Sequence, residues 1–452
     1  MKEDLLHYVW RLQRYDQREL LTSAGQRIEI MDRGKLNPDA GPDFLNAKIR
    51  IGETIWAGNV EMHVRASEWL AHRHQDDRAY DNVILHVVID EDVSIHRADG
   101  QPLPCLEMRR RIAPKLFNTY LRLVHNEHWI PCQYHFYKAS DLTKSMFLDR
   151  LLVERLERKR DAILRLLNRN QNDWENAFFQ FLTCYLVGRI NADAGEELAR
   201  TLPINYFAKH ADQPLSVEAF LFGQSGLLPQ EPDEAYPREL RREYQFLRAK
   251  YGLEPAPPER WKFLRMRPPG FPTVRLAQLA ALLRKEPRPF ARILGTENIS
   301  DYYELFDVTP HEFWQTHYRF GRTSAARPKR IGRAMVERLI INVIAPFLFV
   351  YDELRGAGDA EHRRALRLLE ALPPERNKIV RGWERLGMEP ESAYRTQGLL
   401  QLKNEYCDHH RCLQCSIGNS ILHDSPTILR EPGMLSWPSP ESPQSEPVLW
   451  TS

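Results

Sequence analysis

This 452-residue sequence has no window of 18 uncharged apolar residues, so no membrane-crossing helix is expected. Its start, Met1-Lys2-Glu3-Asp4, lacks the basic region and apolar run of a secretion signal, which points to the cytoplasm. Neither sign of charge dominates. The 63 basic and 61 acidic residues give a net charge of +2, too little to argue for nucleic acid or a membrane without local clusters. Cysteine is scarce: Cys105, Cys132, Cys184, Cys407, Cys412 and Cys415 are the only six. In a cytoplasmic chain these are expected to be free or metal-bound rather than disulfide-paired. There is no internal repeat. What is present is apolar matter, 42% of residues, with 27% charged, which suffices for two or three cored domains under a solvated surface.

The periodicity changes once along the chain. Leu5, Leu6, Val9, Trp10 and Leu12 are spaced for a helix over 4–13. Residues 44–51 and 54–65 alternate as strands do, with Gly52-Glu53 as the turn between them. Residues 67–80 are polar and aromatic and helical in part; 83–90 read as a buried strand, and a short strand follows near 103–109. From about 141 the period becomes helical, with Leu151, Leu152, Leu156, Ile163, Leu164 and Leu167 as one stripe. Helices are expected over 173–200, 216–223, 235–250, 273–285, 328–356, 360–371 and 393–406, punctuated by prolines at 254–258 and 268–272. The fold class is therefore α+β. A mixed-sheet domain spans 1–135 and an all-helical domain spans 140–423. A tail rich in Pro, Ser and Glu, expected to be disordered, occupies 424–452.

The acids and histidines of the β-segment stand out in Gly41-Pro42-Asp43-Phe44 and Gly58-Asn59-Val60-Glu61-Met62-His63. Asp43, Leu45, Ala47, Ile49 and Ile51 share one parity; Ile55, Ala57, Asn59, Glu61 and His63 share another. An odd-length turn at Gly52 would place both sets on one face, so that Asp43, Glu61 and His63 end a buried apolar surface. A two-residue turn would split them, because a one-residue slip flips a strand. The apolar pattern favours the odd turn. Two carboxylates and an imidazole there are costly unless paired or metal-bound, and carboxylates suit Mg²⁺ or Mn²⁺. The plainer alternative makes Asp43 a turn cap, pairs Glu61 with Arg65 or Arg50, and leaves His63 as a core histidine.

These residues resemble the PD-(D/E)xK nuclease superfamily, whose restriction-endonuclease-like core carries an acid in Pro-Asp and then an acid, a spacer and a lysine on the next strand. The matching pieces are Pro42-Asp43 and Glu61-Met62-His63, within residues 40–90. The resemblance implies that Asp43 and Glu61 hold the metal and that His63, in place of the lysine, orients water. Lys48 has the wrong parity to substitute. It further implies that His72, His74, Asp77 and Tyr80 line the substrate groove. His72-x-His74 also permits another chemistry, a Zn²⁺ or Fe²⁺ site completed by Asp77 or His63. His86, on the buried strand, is expected to be a core histidine.

Near the other end, Cys407, Cys412 and Cys415 form C-x4-C-x2-C. Three thiols so close suggest a metal, with His409, His410 or the distant Cys132 as fourth ligand. The one-plus-three arrangement resembles that of nucleases in the same superfamily that hold a [4Fe–4S] cluster, although the spacing differs from theirs. Zinc is the other candidate, and a structural role is expected in either case. In the helical body, Lys262, Arg265, Arg267 and Arg275 alternate with aromatics in Trp261–Arg275 and suit a nucleic-acid backbone, as does a second basic run from Thr316 to Arg333. The whole chain resembles a bacterial family known only as a domain of unknown function, DUF2851, through Gly41–Phe44, Gly58–Glu61, Asn82–Val88, Trp261–Arg265 and Tyr406–Gly418. The expected function is a metal-dependent phosphodiesterase acting on DNA or RNA. The alternative is a non-catalytic nucleic-acid-binding or scaffold protein with a structural Zn²⁺ or iron–sulfur site.

Overall fold

The computed structural model describes residues 3–97, 99–356 and 359–423; the expected disordered tail lies outside them. The fold is α+β, and the chain divides into two compact units. One comprises residues 1–147 together with the segment from Leu402 onward; the other is Leu148–Gln401. The cysteine segment at 407–415 thus groups with the sheet, not with the helical body.

The first unit is built on a mixed six-stranded sheet. Its strands are β1 (Ile28–Asp32), β2 (Lys35–Leu36), β3 (Phe44–Ile51), β4 (Thr54–Arg65), β5 (Val83–Asp90) and β6 (Cys105–Glu107). The order is β1-β3-β4-β5-β6, with β2 beside β3. β3 and β4 form an antiparallel hairpin, whereas β5 and β6 run parallel to β4. The β4–β5 crossover contains a single α-helical turn, α2 (Glu68–Ala71), and two 3₁₀ turns, His74–Asp76 and Arg78–Tyr80. Helix α1 (Glu3–Arg11) packs across β4 and buries Leu5, Leu6, Val9 and Trp10. The predicted helical stripe is its core face except for Leu12, which lies past the helix end and is exposed. Helix α3 (Pro114–Val124) opens on proline, which loses nothing at a position whose N–H has no intrahelical partner.

The hairpin corrects the parity argument. Ile51 pairs with Thr54, so the turn is the two-residue Gly52-Glu53, with Gly52 at φ +60°. Ile55 pairs with Arg50 and is 45% exposed; it is not part of a buried face with Ile49 and Ile51. A second irregularity restores the convergence of the acids. Ala47 pairs with Gly58, but Phe44 pairs with Val60, so β3 carries one extra residue. This β-bulge centres on Asn46, at φ +59°, whose N–H donates to Oδ1 of Asn59 (3.2 Å). Phe44 thereby joins Ala47, Ile49 and Ile51 on the buried face, and Asp43 turns to the opposite side with Glu61 and His63.

Gly58 is fixed by a close approach. A Cβ there would lie 2.5 Å from the Asn82 carbonyl oxygen and 2.4 Å from Cγ2 of Ile84. Gly58→Ala is expected to destabilise the protein by about 2–3 kcal/mol, read as a lower denaturation midpoint at unchanged m-value.

The second unit is helical, with one small hairpin (His317–Arg319 and Arg322–Thr323) absent from the sequence expectation. The expected helix over 173–200 is two helices, Trp174–Val187 and Ala192–Thr201, separated at Gly188 (φ +83°). Prolines open helices at Pro214, Pro272 and Pro289, so the 268–272 cluster ends as a helix start. The segment expected to be helical over 328–356 is helical only from Arg333. By length and composition Arg333–Leu354 matches a membrane span, contrary to the sequence expectation, but 61% of its apolar window is buried. Leu339, Ile340, Val343, Phe347 and Leu348 lie in the core of this unit.

Candidate metal centre

The site forms where the bulged end of β3, the middle of β4 and the crossover meet. The backbone N–H of Asp43 donates to Oε2 of Glu61 (3.1 Å), and the Met62 N–H donates to Oδ2 of Asp43 (2.9 Å). Each acid is thus oriented by the other's strand. Oε1 of Glu61 faces two imidazoles, with Nε2 of His74 at 3.4 Å and Nε2 of His63 at 3.6 Å. His63, 1% exposed, shares hydrogen bonds with His86 through Nδ1 (2.9 Å) and with His72 through Nε2 (3.2 Å). Among the described residues, His63, His72 and His74 form a trio with one ring nitrogen each, all within 4.8 Å of one another.

The crossover supplies His72 and His74 through its short turns. Arg73 between them adopts φ +60°, which brings both imidazoles to one side. Asp77 is exposed, and its Oδ1 accepts the Ala79 N–H (2.9 Å), so it caps the following 3₁₀ turn. Tyr80 stacks on His74 at 3.8 Å and meets Trp69 edge-on. One participant, His7, escaped the sequence reading; a second, His86, is the buried core histidine expected and adds a contact to the site. His7, on α1, places Nε2 3.1 Å from Oδ2 of Asp43. Its only sequence signal is a polar position within an apolar helix. His86 pairs in register with Glu61 and supports His63.

Charge in this site is expensive. Burial, then the negative charge of Asp43, pushes the Glu61 carboxyl well above the usual carboxylate range. Burial, then the neighbouring imidazoles, holds His63 down to about 3; His86 is also held down to about 3, by burial and then His63. Burial alone would lower His7, but its hydrogen bond and attraction to Asp43 raise it overall. One carboxylate oxygen and three imidazole nitrogens suit a divalent ion that accepts both donor types, such as Mn²⁺, Fe²⁺ or Zn²⁺, better than Mg²⁺.

These directions set the pH response of the chelator-treated protein. The depressed His63 and His86 contribute stability that is lost as pH falls below the unfolded value of about 6.5. The raised Glu61 works oppositely: its contribution is present at low pH and is lost as pH rises above the ordinary carboxylate range. The melting temperature is therefore expected to peak near neutrality, with two histidines outweighing one acid on the acidic side. Glu61→Gln should flatten the alkaline limb and steepen the acidic one, where the acid no longer opposes the histidines, which thermal melts from pH 4.5 to 9 will read.

The four predicted basic contacts lie in the helical unit. Lys262 donates through Nζ to the Glu259 carbonyl (2.9 Å), and Arg275, half-buried, donates to Gln278 (2.9 Å). Arg265 and Arg267 are exposed. In the second basic run, Lys329 is buried and donates to the Gln315 and Arg327 carbonyls.

The cysteines converge within the first unit. Helix Ser416–His423, which follows Cys415, packs on α3 and on the 3₁₀ segment Gln133–Lys138, which follows Cys132. All four thiols are shielded by burial, and each of Cys132, Cys407 and Cys412 feels the charge of Cys415. Backbone N–H groups of Gly418 and Ile417 point at the Cys415 sulfur. Gly418 leaves room for this loop, since a Cβ there would lie 2.3 Å from the Cys412 carbonyl oxygen.

A family model described as "Protein of unknown function (DUF2851)" matches residues 3–378. The match includes the whole histidine–carboxylate site and Cys132, and ends before Cys407. No curated protein and no solved structure matches the chain.

Proposed function

We propose that this chain, which belongs to the DUF2851 family of proteins of unknown function, is a metal-dependent phosphodiesterase, with DNA or RNA as its substrate class. The observation that carries the reading is Glu61, a buried acid whose Oε1 faces the nitrogens of His63 and His74 while Asp43 is locked beside it. Burying a carboxylate next to a second one is unfavourable unless a cation compensates. Glu61, His63, His72 and His74 would hold the ion, and Asp43 would stand at its edge. When bound, such an ion polarises a phosphoryl oxygen and lowers the pKa of water beside it. His86 fixes the ring of His63 through Nδ1. His7, whose affinity for a proton Asp43 raises against the effect of burial, is placed to meet an anionic oxygen or to protonate a leaving group. The resemblance to PD-(D/E)xK nucleases agrees in the positions of Asp43 and Glu61; the imidazole at position 63 departs from it and shifts the metal preference toward Mn²⁺ and Zn²⁺.

The test is direct. Purified protein with Mn²⁺ or Zn²⁺ should cleave bis(p-nitrophenyl) phosphate and at least one of single-stranded DNA, duplex DNA or RNA. Absence of any cleavage, or cleavage that survives Asp43→Ala and Glu61→Ala together, refutes the reading.

The thiols support a second, structural cofactor. Cys132 with the clustered Cys407, Cys412 and Cys415 makes the one-plus-three set of thiols that would hold a [4Fe–4S] cluster, with zinc as the other candidate. Anaerobically purified protein should be brown, absorb near 400 nm and contain iron and sulfide in equal amounts; a colourless protein with one zinc per chain excludes the cluster.

A further inference from the structure

A cleft of about 160 Å³ in the first unit lies between α1 and the cysteine loop. Its lining includes His7, Tyr8 and Arg11 from α1, Tyr120 from α3, and His409 and Arg411 from the loop. Three features indicate what it takes. First, among the described residues no carboxylate pairs with Arg11 or Arg411; Asp4 is the one acid on its wall. Two arginines therefore line a small concave space with one acid. Second, the hydroxyl of Tyr8 is buried without a hydrogen-bond partner, in a side chain only 2% exposed. An unsatisfied buried hydroxyl costs about 1–3 kcal/mol, and a ligand oxygen in the cleft would relieve it. Third, the cleft shares His7 with the metal centre, since the same imidazole lies 3.1 Å from Asp43.

We infer that this cleft is a phosphate subsite, which holds a backbone phosphate of the substrate strand adjacent to the one at the metal centre. Its acceptors of negative charge are Arg11 and Arg411, its neutral donor is Tyr8, and His7 joins it to the reacting position. The volume suits a phosphate with its sugar, being well below the roughly 300–1,000 Å³ that encloses a drug-sized ligand. The cysteine loop acquires a role here: by fastening residues 407–415, the four thiols and their cofactor hold Arg411 in the wall. The inference rests on the phosphodiesterase reading for the identity of the strand, but its test does not require cleavage.

The test measures binding of a fluorescent single-stranded oligonucleotide to full-length protein in EDTA, across a salt series. Arg11→Gln and Arg411→Gln are each expected to weaken binding about fivefold to tenfold and to reduce the slope of log K against log salt by about 0.7, the value for one single-strand phosphate contact. Tyr8→Phe removes only the hydroxyl; it should weaken binding without changing the slope. Arg27→Gln removes the same charge beside the Gly52 turn, at the far end of the hairpin, and should leave both quantities unchanged. Binding within twofold of the parent for both arginine variants overturns the subsite, as does an equal loss in Arg27→Gln. If the slopes change as expected but no metal supports cleavage, the subsite stands and the phosphodiesterase reading falls.

Discussion

Glu61→Gln is expected to have opposite effects on activity and stability. Metal-dependent cleavage should fall by at least about 100-fold, since losing even an outer partner of a metal ligand commonly costs 10–100-fold, and the proposed role of Glu61 is that of a ligand itself. The metal-free protein should become more stable at pH 8, because the substitution removes a carboxyl that burial and Asp43 make costly to ionise. In the parent, the proposed ion would repay this cost: at about 100 times its dissociation constant it would contribute roughly 2.7 kcal/mol. The variant should therefore melt higher than the parent in EDTA and gain little when metal is added. A glutamate serving only to pair with the histidines would behave differently, because its removal would destabilise the protein whether or not metal was present. This reversal is the mark of a site that holds local stability in reserve for a ligand. The two melts, with and without metal, decide the matter independently of substrate choice.

Element types were legible in the sequence where apolar periodicity was strong. The α1 stripe follows from period 3.6, the two hairpin strands from period 2 and β5 from its continuous apolar run, and the structure contains each. Connections were less legible. Gly188 divides a helix that its apolar content would have continued, and nothing in the periodicity of His317–Thr323 marks a hairpin. For the site, residue types were readable and topology was not. Asp43, Glu61 and His63 were singled out by an argument that assumed an odd turn, and they meet through a two-residue turn and a bulge. Each of the two irregularities reverses parity, so the original inference reached the right neighbours by the wrong route. His7, and the bond of the expected core histidine His86 to His63, are not readable in the sequence because they depend on tertiary contacts, a helix laid across β4 and a parallel register, which leave no local pattern.

The bulge itself can be tested, and Asn46 is the residue on which it depends. Asparagine tolerates the left-handed conformation that it adopts here at φ +59°; a β-branched residue does not, at a cost of about 1–2 kcal/mol. Asn46→Val should therefore favour an uninterrupted ladder in which Asn46 opposes Asn59 and Leu45 opposes Val60. In that register Leu45 enters the core in place of Phe44, and Asp43 moves to the face away from Glu61 and His63. The hydrogen bonds from Asp43 N–H to Glu61 and from Met62 N–H to Asp43 would both be lost, and the edge contact of His7 with Phe44 would go with them. Cleavage should fall at least about tenfold while the sheet remains, whereas Asn46→Gly, which accepts positive φ, should keep most of the activity. Cross-strand nuclear Overhauser contacts separate the two outcomes: Val60 should face Leu45 in the valine variant and Phe44 in the glycine variant. If the valine variant is merely less stable, with Val60 still opposite Phe44 and the cleavage rate unchanged, then the register does not depend on residue 46, and Asp43 is held in place by the two strands that flank it.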